Sequence, residues 1–426
     1  MGFPGGPRGG TNSFAQSLSD RRMQMYLRPL LAVALLTAAT AQASAAVCST
    51  DTPFTQAPVD LSSVSHIVPL GNLNPEKGHT IPTRHIYVYP KSGAALEVRS
   101  PGDVEIVAVV FHPVGSDPNN AAQEKDEWEL HLKPCEGVTL YFNHIVDLNK
   151  EIVGKFQRSN PVKLDKLVAT PVSIALASGS PIGNAKIFDI GLVDMRKPAL
   201  SFANPTRYAA NIEAVLAKFG LSASITAKAV VPRIVPQALY SRCALDYFIP
   251  VIRQPMIEKL ASSDGATKAQ ANLLCNSHMQ DISGSAQGNW WSTSNPTISF
   301  LSDETAVSLS NSNVDSNVPV FSLNSETPGS IPAGIYQFAV GPSTAGEKTA
   351  FVNRRFSEIK DTAMYCYEGL APHKGGPALD GIVLLQLERY RSVTANRMRI
   401  EFLKNAKSCS NLAQRTMGPG ATLLYR

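Results

Sequence analysis

Alternating apolar and polar residues predict short β-strands from about residue 65 onward. In residues 85–89, Ile86 and Val88 share one face and polar side chains occupy the other. Further strands of this kind are predicted at residues 95–98, 104–110, 128–132, 138–142, 171–177 and 185–193. Together these strands predict a compact β-domain over residues 65–203.

A helical spacing of apolar residues follows this β-domain. Asn204 is the predicted N-cap of a helix that runs to Phe219. Two further helices are predicted at residues 255–262 and 266–279. Residues 204–285 are therefore predicted to be a helical connector.

The strand pattern returns in the last third of the chain. Predicted strands lie at residues 288–291, 297–301, 306–309, 318–323, 335–340, 382–387, 398–403 and 422–425. Strands at this spacing, with turn residues between them, predict a β-barrel or β-sandwich over residues 286–426. The predicted fold class is therefore mainly β, with a few helices between two β-regions.

The N-terminal segment has a different pattern, which is typical of export. Three arginines between residues 21 and 28 precede an apolar run at residues 30–36, and small residues follow. This run is too short to cross a bilayer as a helix. We therefore predict that residues 1–45 are a signal peptide with a disordered extension. The mature chain is expected to be periplasmic or secreted, with no membrane span after cleavage.

Charge gives little support for a nucleic-acid partner. The net charge is +5, but residues 1–46 hold four Arg and one Asp, a net of +3. The mature chain would carry 5 − 3 = +2. Such a balance predicts neither a nucleic-acid-binding surface nor a strongly basic membrane patch.

The six cysteines all follow the predicted leader, and their number is even. In an oxidising compartment this predicts three disulfides, for which 15 pairings are possible. We favour pairing in order, because each pair then falls within one predicted module. The pairs would be Cys48–Cys135, Cys243–Cys275 and Cys366–Cys409.

Three segments of the first β-region share features with a known family. His79 lies just before a strand in residues 66–87, a Pro-Gly turn joins two strands in residues 98–106, and His144 follows Tyr141. This pattern resembles a degenerate lysostaphin-type (LytM-like) zinc endopeptidase domain over about residues 65–203. The resemblance implies a duplicated-hybrid-motif-like β-domain.

The zinc ligands that the resemblance implies are incomplete. The family has an aspartate four residues after its first histidine, and this chain has Thr83 at that distance from His79. No histidine lies between His144 and His278, where the family's closing His-x-His would fall. We therefore predict no standard zinc site, no catalytic residues and no cofactor. Three histidines suffice for a zinc site, so His79, His85 and His144 form an alternative metal-binding set.

The sequence contains few candidate residues for other kinds of catalytic or binding site. Neither a Gly-x-Ser-x-Gly nucleophile motif nor a Walker loop occurs. Two acid pairs could act as glycosidase carboxylates if their members met in space, namely Asp189 with Asp194 and Asp361 with Glu368. Trp290 and Trp291 could stack on a sugar or another flat ligand if they faced solvent, although adjacent strand residues point to opposite sides.

These observations favour an exported, non-catalytic binding or scaffolding protein that acts on cell-envelope components. One alternative is a metallohydrolase with zinc held by His79, His85 and His144. A second alternative is a carrier that holds a small apolar molecule in the C-terminal barrel beneath Trp290. Bound metal would favour the first alternative, and an enclosed apolar cavity would favour the second.

Overall fold

The computed structural model describes residues 47–91, 95–115, 123–156, 159–209, 211–235, 237–273, 275, 278–294, 306–324, 331–341, 350–373, 375–388, 397–410 and 416–426. The predicted signal peptide and the predicted strand at residues 297–301 lie outside these residues. Within them the fold is mainly β, as the sequence predicts, and the strands form two sheets.

The first sheet contains ten strands among the described residues. They are β1 (Val64–Val68), β2 (His85–Pro90), β3 (Leu96–Arg99), β4 (Val104–His112), β5 (Glu127–Cys135), β6 (Val138–Ile145), β7 (Val162–Leu164), β8 (Leu167–Leu176), β9 (Pro181–Asp194) and β10 (Ser241–Arg242). Neighbouring strands are antiparallel in the order β1-β2-β9-β6-β5-β4-β8-β7. β3 and β10 also pair with β9, which at 14 residues is long enough to have four partners.

The second sheet has nine strands in the described part of the chain. They are β11 (Gly288–Trp291), β12 (Ala306–Asn311), β13 (Pro319–Leu323), β14 (Gly334–Gln337), β15 (Met364–Tyr367), β16 (Ala371–Pro372), β17 (Gly381–Glu388), β18 (Arg397–Lys404) and β19 (Thr422–Tyr425). Their order is β15-β17-β18-β19-β11-β12-β13-β14-β16. The predicted C-terminal barrel or sandwich is thus one continuous antiparallel sheet.

Four α-helices are described, and the sequence located them poorly. They are α1 (Lys150–Phe156), α2 (Ile212–Lys218), α3 (Ile225–Ile234) and α4 (Pro250–Ile257). The predicted helix start at Asn204 is wrong, because that residue caps only a 3-10 turn. The helix begins after Asn211, whose side chain accepts a hydrogen bond from the Ala214 amide.

The other two helix predictions also need correction. The helix predicted at residues 255–262 instead begins at Pro250, which fits the first turn because proline has no amide hydrogen to leave unpaired. In residues 266–279 the described part contains only a 3-10 turn, Ala271–Leu273.

Much of the predicted connector belongs to the first sheet. α2 and α3 cover Ala108, Val110 and Ala169, and so bury one face of β4 and β8. Residues from Cys243 to Cys275 join the main core of the first sheet, where Phe248 packs on Phe54 at 5.1 Å between ring centroids. Other parts of the connector pack elsewhere, since Tyr208 and Ala238 share a cluster with Trp291 and Ala306 of the second sheet. The domain limits at residues 204 and 285 therefore stay a prediction.

Three disulfides join the six cysteines in chain order, as favoured from the sequence. Cys48 pairs with Cys135, Cys243 with Cys275 and Cys366 with Cys409. The first two disulfides lie in the core of the first sheet and the third lies beside the second sheet. No described helix is long and apolar enough to span a membrane.

Candidate functional site

In the part of the first sheet formed by β2, β5, β6 and β9, one face is apolar and the other carries polar side chains. In β2, Ile86 and Val88 are buried in the main core, while His85 points to the other side. In β9, Ile190 lies in the core and Asp189 on the other side. Eight ionisable side chains linked by contacts lie on this other side, and we call them the polar cluster: His85, His112, Glu127, Glu129, His131, Tyr141, His144 and Asp189.

Strand register brings these distant residues together. β2 and β6 flank β9, so that His85 and Tyr141 both lie opposite Gly191. His131 of β5 is opposite Tyr141 in turn. A single row across four strands therefore contains His131, Tyr141, Gly191 and His85.

Asp189 is the centre of the cluster and is 2% exposed. Its Oδ2 lies 3.3 Å from His85 Nε2 and 3.3 Å from His144 Nε2. Asp189 Oδ1 is buried and has no hydrogen-bond partner among the described residues. One carboxylate thus serves two imidazoles and keeps one oxygen unpaired.

The two imidazoles beside Asp189 have opposite pKa shifts. Burial lowers the pKa of His85 to about 4, because it outweighs the attraction of Asp189. Burial also acts to lower the pKa of His144, but the Asp189 charge and hydrogen bonds to Asp189 and Glu127 raise it well above the usual value. At neutral pH the cluster therefore contains a neutral His85 beside a charged His144.

His144 is held between two carboxylates in an unusual backbone conformation. Its Nδ1 donates to Glu127 Oε2 at 2.7 Å, and its Nε2 faces Asp189. Its φ is 64°, a left-handed value that non-glycine residues seldom adopt. The pairing of β6 with β9 shifts between Asn143 and Ile145, so a bulge turns this side chain toward Asp189.

A second carboxylate in the cluster also contacts two imidazoles. Glu129 accepts a hydrogen bond from His131 Nε2 at 2.6 Å, and its other oxygen lies 3.5 Å from His112 Nε2. Burial raises the pKa of Glu129, but the two histidines lower it by more, so that the net shift is downward. The Glu129 group thus repeats the arrangement around Asp189.

Tyr141 lies between the histidines that contact Asp189 and those that contact Glu129. Its hydroxyl lies 3.5 Å from His85 Nδ1, and its ring centroid is 6.0 Å from that of His131. The ring lies directly over Gly191, where an added Cβ would come within 1.8 Å of the Tyr141 Cζ. Glycine is therefore required at position 191 for this placement of the tyrosine.

The three histidines of the alternative metal set lie near one another. The His79 and His85 rings are 5.7 Å apart, and His85 shares Asp189 with His144. Even so, no three His, Cys, Asp or Glu side chains of the described residues are arranged to hold a metal ion. The zinc that the family resemblance implies therefore does not fit these side chains as they are placed. Zinc at His79, His85 and His144 was only the alternative to the predicted absence of a cofactor, and it stays an untested alternative.

The two candidate binding tryptophans are buried. Trp290 is covered by the Arg426 guanidinium, 4.0 Å from its ring, and its Nε1 donates to the Ala286 carbonyl. Trp291 lies beneath Arg207 and against Tyr208. Each would have to leave the core before it could stack on a ligand, so their placement gives no support to the predicted binding role.

Sequence reasoning did not identify the carboxylates of the cluster as partners of its histidines. Asp189 was considered only together with Asp194, but an odd separation along β9 puts these two on opposite faces. Asp194 instead pairs with Arg196 and accepts from the Tyr247 hydroxyl at 2.7 Å. The alternation of charged and apolar residues in β5 was a usable signal for Glu127 and Glu129.

Comparisons of the chain with protein-family models, with curated proteins and with solved structures gave no match. The resemblance to lysostaphin-type domains therefore stays a prediction.

Proposed function

We propose that this protein is an exported binding protein whose polar cluster holds a polar ligand of the cell envelope. The observation that carries the proposal is the concentration of charged groups with shifted pKa values around Asp189. Taking such charges out of water costs free energy that apolar side chains would not require. Strongly shifted pKa values gather at functional sites, because function there requires groups held in a particular protonation state.

The cluster is accessible at its margins. The side chains of His144, Glu129 and His85 are 28%, 19% and 15% exposed. A ligand can thus contact charged imidazole, carboxylate and neutral imidazole without a rearrangement of the sheet. This mixture of donors and acceptors suits a ligand rich in hydroxyl and amide groups, such as the sugars and peptides of peptidoglycan.

The test is co-sedimentation of the mature protein with purified peptidoglycan sacculi. We expect the wild type to sediment with sacculi and Glu129→Gln to bind about fivefold more weakly, since it loses a charged acceptor. Glu136→Gln is the matched control, because this carboxylate lies on the same hairpin and contacts Lys133 outside the cluster. Denaturation curves of both variants would exclude loss of folding.

Two results would contradict the proposal. One is a wild-type protein that stays in the supernatant with sacculi. The other is Glu129→Gln binding as well as the wild type, which would place the binding surface elsewhere.

The metallohydrolase alternative has one observation in its favour, the proximity of His85 to His79 and to the carboxylate that His144 also contacts. The described side chains are nevertheless not arranged to hold a metal ion. It is tested by measuring metal content by mass spectrometry on protein purified without chelator or a metal-binding tag. We expect no stoichiometric metal. Stoichiometric zinc that disappears in His85→Ala would replace the binding proposal with a hydrolytic one.

A further inference from the structure

A cavity of about 200 Å³ lies between the turn at residues 74–76 and strands β14 and β16. Its walls include Pro75, Glu76, Ile335, Tyr336, Pro372 and His373. It lies outside the polar cluster, and no element of the proposed function uses it.

The walls of the cavity combine apolar surface with one carboxylate. Pro75, Ile335 and Pro372 contribute apolar atoms. Glu76 is exposed and is the one acidic residue among those that line the cavity. Burial raises the pKa of Tyr336, and the charge of Glu76, which lines the same cavity, raises it further. The cavity therefore has an apolar body and an acidic edge.

The parts of the cavity are held in place before any ligand arrives. The Tyr336 hydroxyl lies 3.1 Å from the Pro332 carbonyl and 3.2 Å from the Ala333 carbonyl, to which it donates. The turn is closed by two backbone hydrogen bonds between Asn74 and His79, at 2.8 and 3.0 Å. A ligand would thus meet a preformed site, which reduces the entropy lost on binding.

We propose that this cavity binds a primary ammonium group on a short alkyl chain, such as a lysine-like side chain of a peptide. The methylene groups would lie along Pro75, Ile335 and Pro372, and the ammonium group would face Glu76. A cavity of about 200 Å³ is large enough for one such side chain. The proposal does not depend on the role of the polar cluster.

The experiment is an NMR titration of the mature protein with n-butylammonium chloride, following the backbone amides of Gly334 and Ile335. We expect saturable shifts at these amides and weaker binding at high salt, because the attraction is between exposed charges. Glu76→Gln should bind about two- to fivefold more weakly, the range for an exposed ion pair. Glu136→Gln is the control and should bind as the wild type does.

Titration with n-butanol separates charge recognition from filling of an apolar cavity. We expect the wild type to bind n-butanol more weakly than n-butylammonium. We also expect Glu76→Gln to bind n-butanol with the same affinity as the wild type, because n-butanol carries no charge. Equal binding of the two probes to the wild type would overturn the proposal. So would unchanged butylammonium binding in Glu76→Gln, or no saturable shift at the cavity amides.

Discussion

At the level of single residues, the charge of Asp189 is the largest contribution that raises the pKa of His144. The carboxylate is buried between two imidazoles, and only one of them, His144, is charged at neutral pH. The pKa of Asp189 is raised by burial and lowered by His85 and His144, and the net shift is downward. Asp189 therefore interacts with both imidazoles, and Glu127 is a second carboxylate partner of His144.

Asp189→Asn keeps the size of the side chain and removes its charge. We expect the pKa of His144 to fall and the free energy of unfolding to drop by about 2–3 kcal/mol, the cost of losing a charged hydrogen bond. NMR titration of the His144 ring protons and urea denaturation measure the two effects. Asp147→Asn, an exposed carboxylate 3.6 Å from Lys125, should change stability little. An unaltered His144 pKa in Asp189→Asn would refute the assigned pairing.

Gly191→Ala tests the placement of Tyr141. The new methyl group would overlap the tyrosine ring, so the ring must move away from His85. We expect a loss of about 1–3 kcal/mol in unfolding free energy, typical of overpacking. Gly154→Ala in α1 is the matched control, since nothing lies within 4 Å of its added Cβ. Urea denaturation of both variants makes the comparison, and equal stability of both would contradict the packing described here.

At the scale of elements, the Cys243–Cys275 disulfide holds the segment that contains α4 against the first sheet. Its sequence separation is 32 residues. Replacing both cysteines by alanine should cost about 3–4 kcal/mol through the greater freedom of the unfolded chain. Hydrogen exchange should rise in α4 first, whereas Cys366→Ala with Cys409→Ala should act first on the second sheet. Equal changes in α4 for both double variants would show that the disulfide has no local role.

The strands were predictable from the sequence, and the helix limits were not. Alternation such as that of Ile86 and Val88 is imposed by burial of one sheet face, so it is visible in the sequence. Asn204 followed by proline is a helix-start signal that here serves a 3-10 turn, because the local signal for the two structures is the same. Adjacent Trp290 and Trp291 are both buried because both faces of β11 are covered.

The candidate site was only half predictable for a related reason. Sequence reasoning named His85, His144 and Asp189, but it paired Asp189 with Asp194 rather than with the two histidines. Which residue of β9 lies between them depends on strand order and register, and these involve residues at least 185 − 145 = 40 positions apart in the chain. No local pattern contains that information.

For the whole molecule, buried neutral histidines make stability depend on pH. Burial lowers the pKa of His85 to about 4 and that of His278 to about 3. In the unfolded chain both would bind protons near pH 6.5, so the unfolded state gains protons first as the pH falls. Stability should thus decrease from pH 6.5 toward pH 4. His144 acts in the opposite direction: its contribution is complete below pH 6.5 and is lost as the pH rises through its raised pKa.

Urea denaturation between pH 6.5 and 4.5 measures the acid effect. We expect each of the two buried histidines to lower the free energy of unfolding by about 2 kcal/mol between pH 6.5 and pH 4.5. His278 contacts the Ala238 carbonyl through Nε2, and His278→Gln retains a donor there without taking up a proton. This variant should lose about 2 kcal/mol less than the wild type on acidification. Equal loss of stability of the two proteins on acidification would show that His278 does not contribute to the acid effect.

The consecutive pairing of the cysteines has a consequence for how the chain matures. No disulfide encloses or crosses another along the sequence. The chain emerges from its N-terminal end, so both cysteines of one native pair emerge before the first cysteine of the next pair. Oxidation in order of emergence thus gives the native pairing directly. Correct maturation should therefore require an oxidant but no disulfide isomerase.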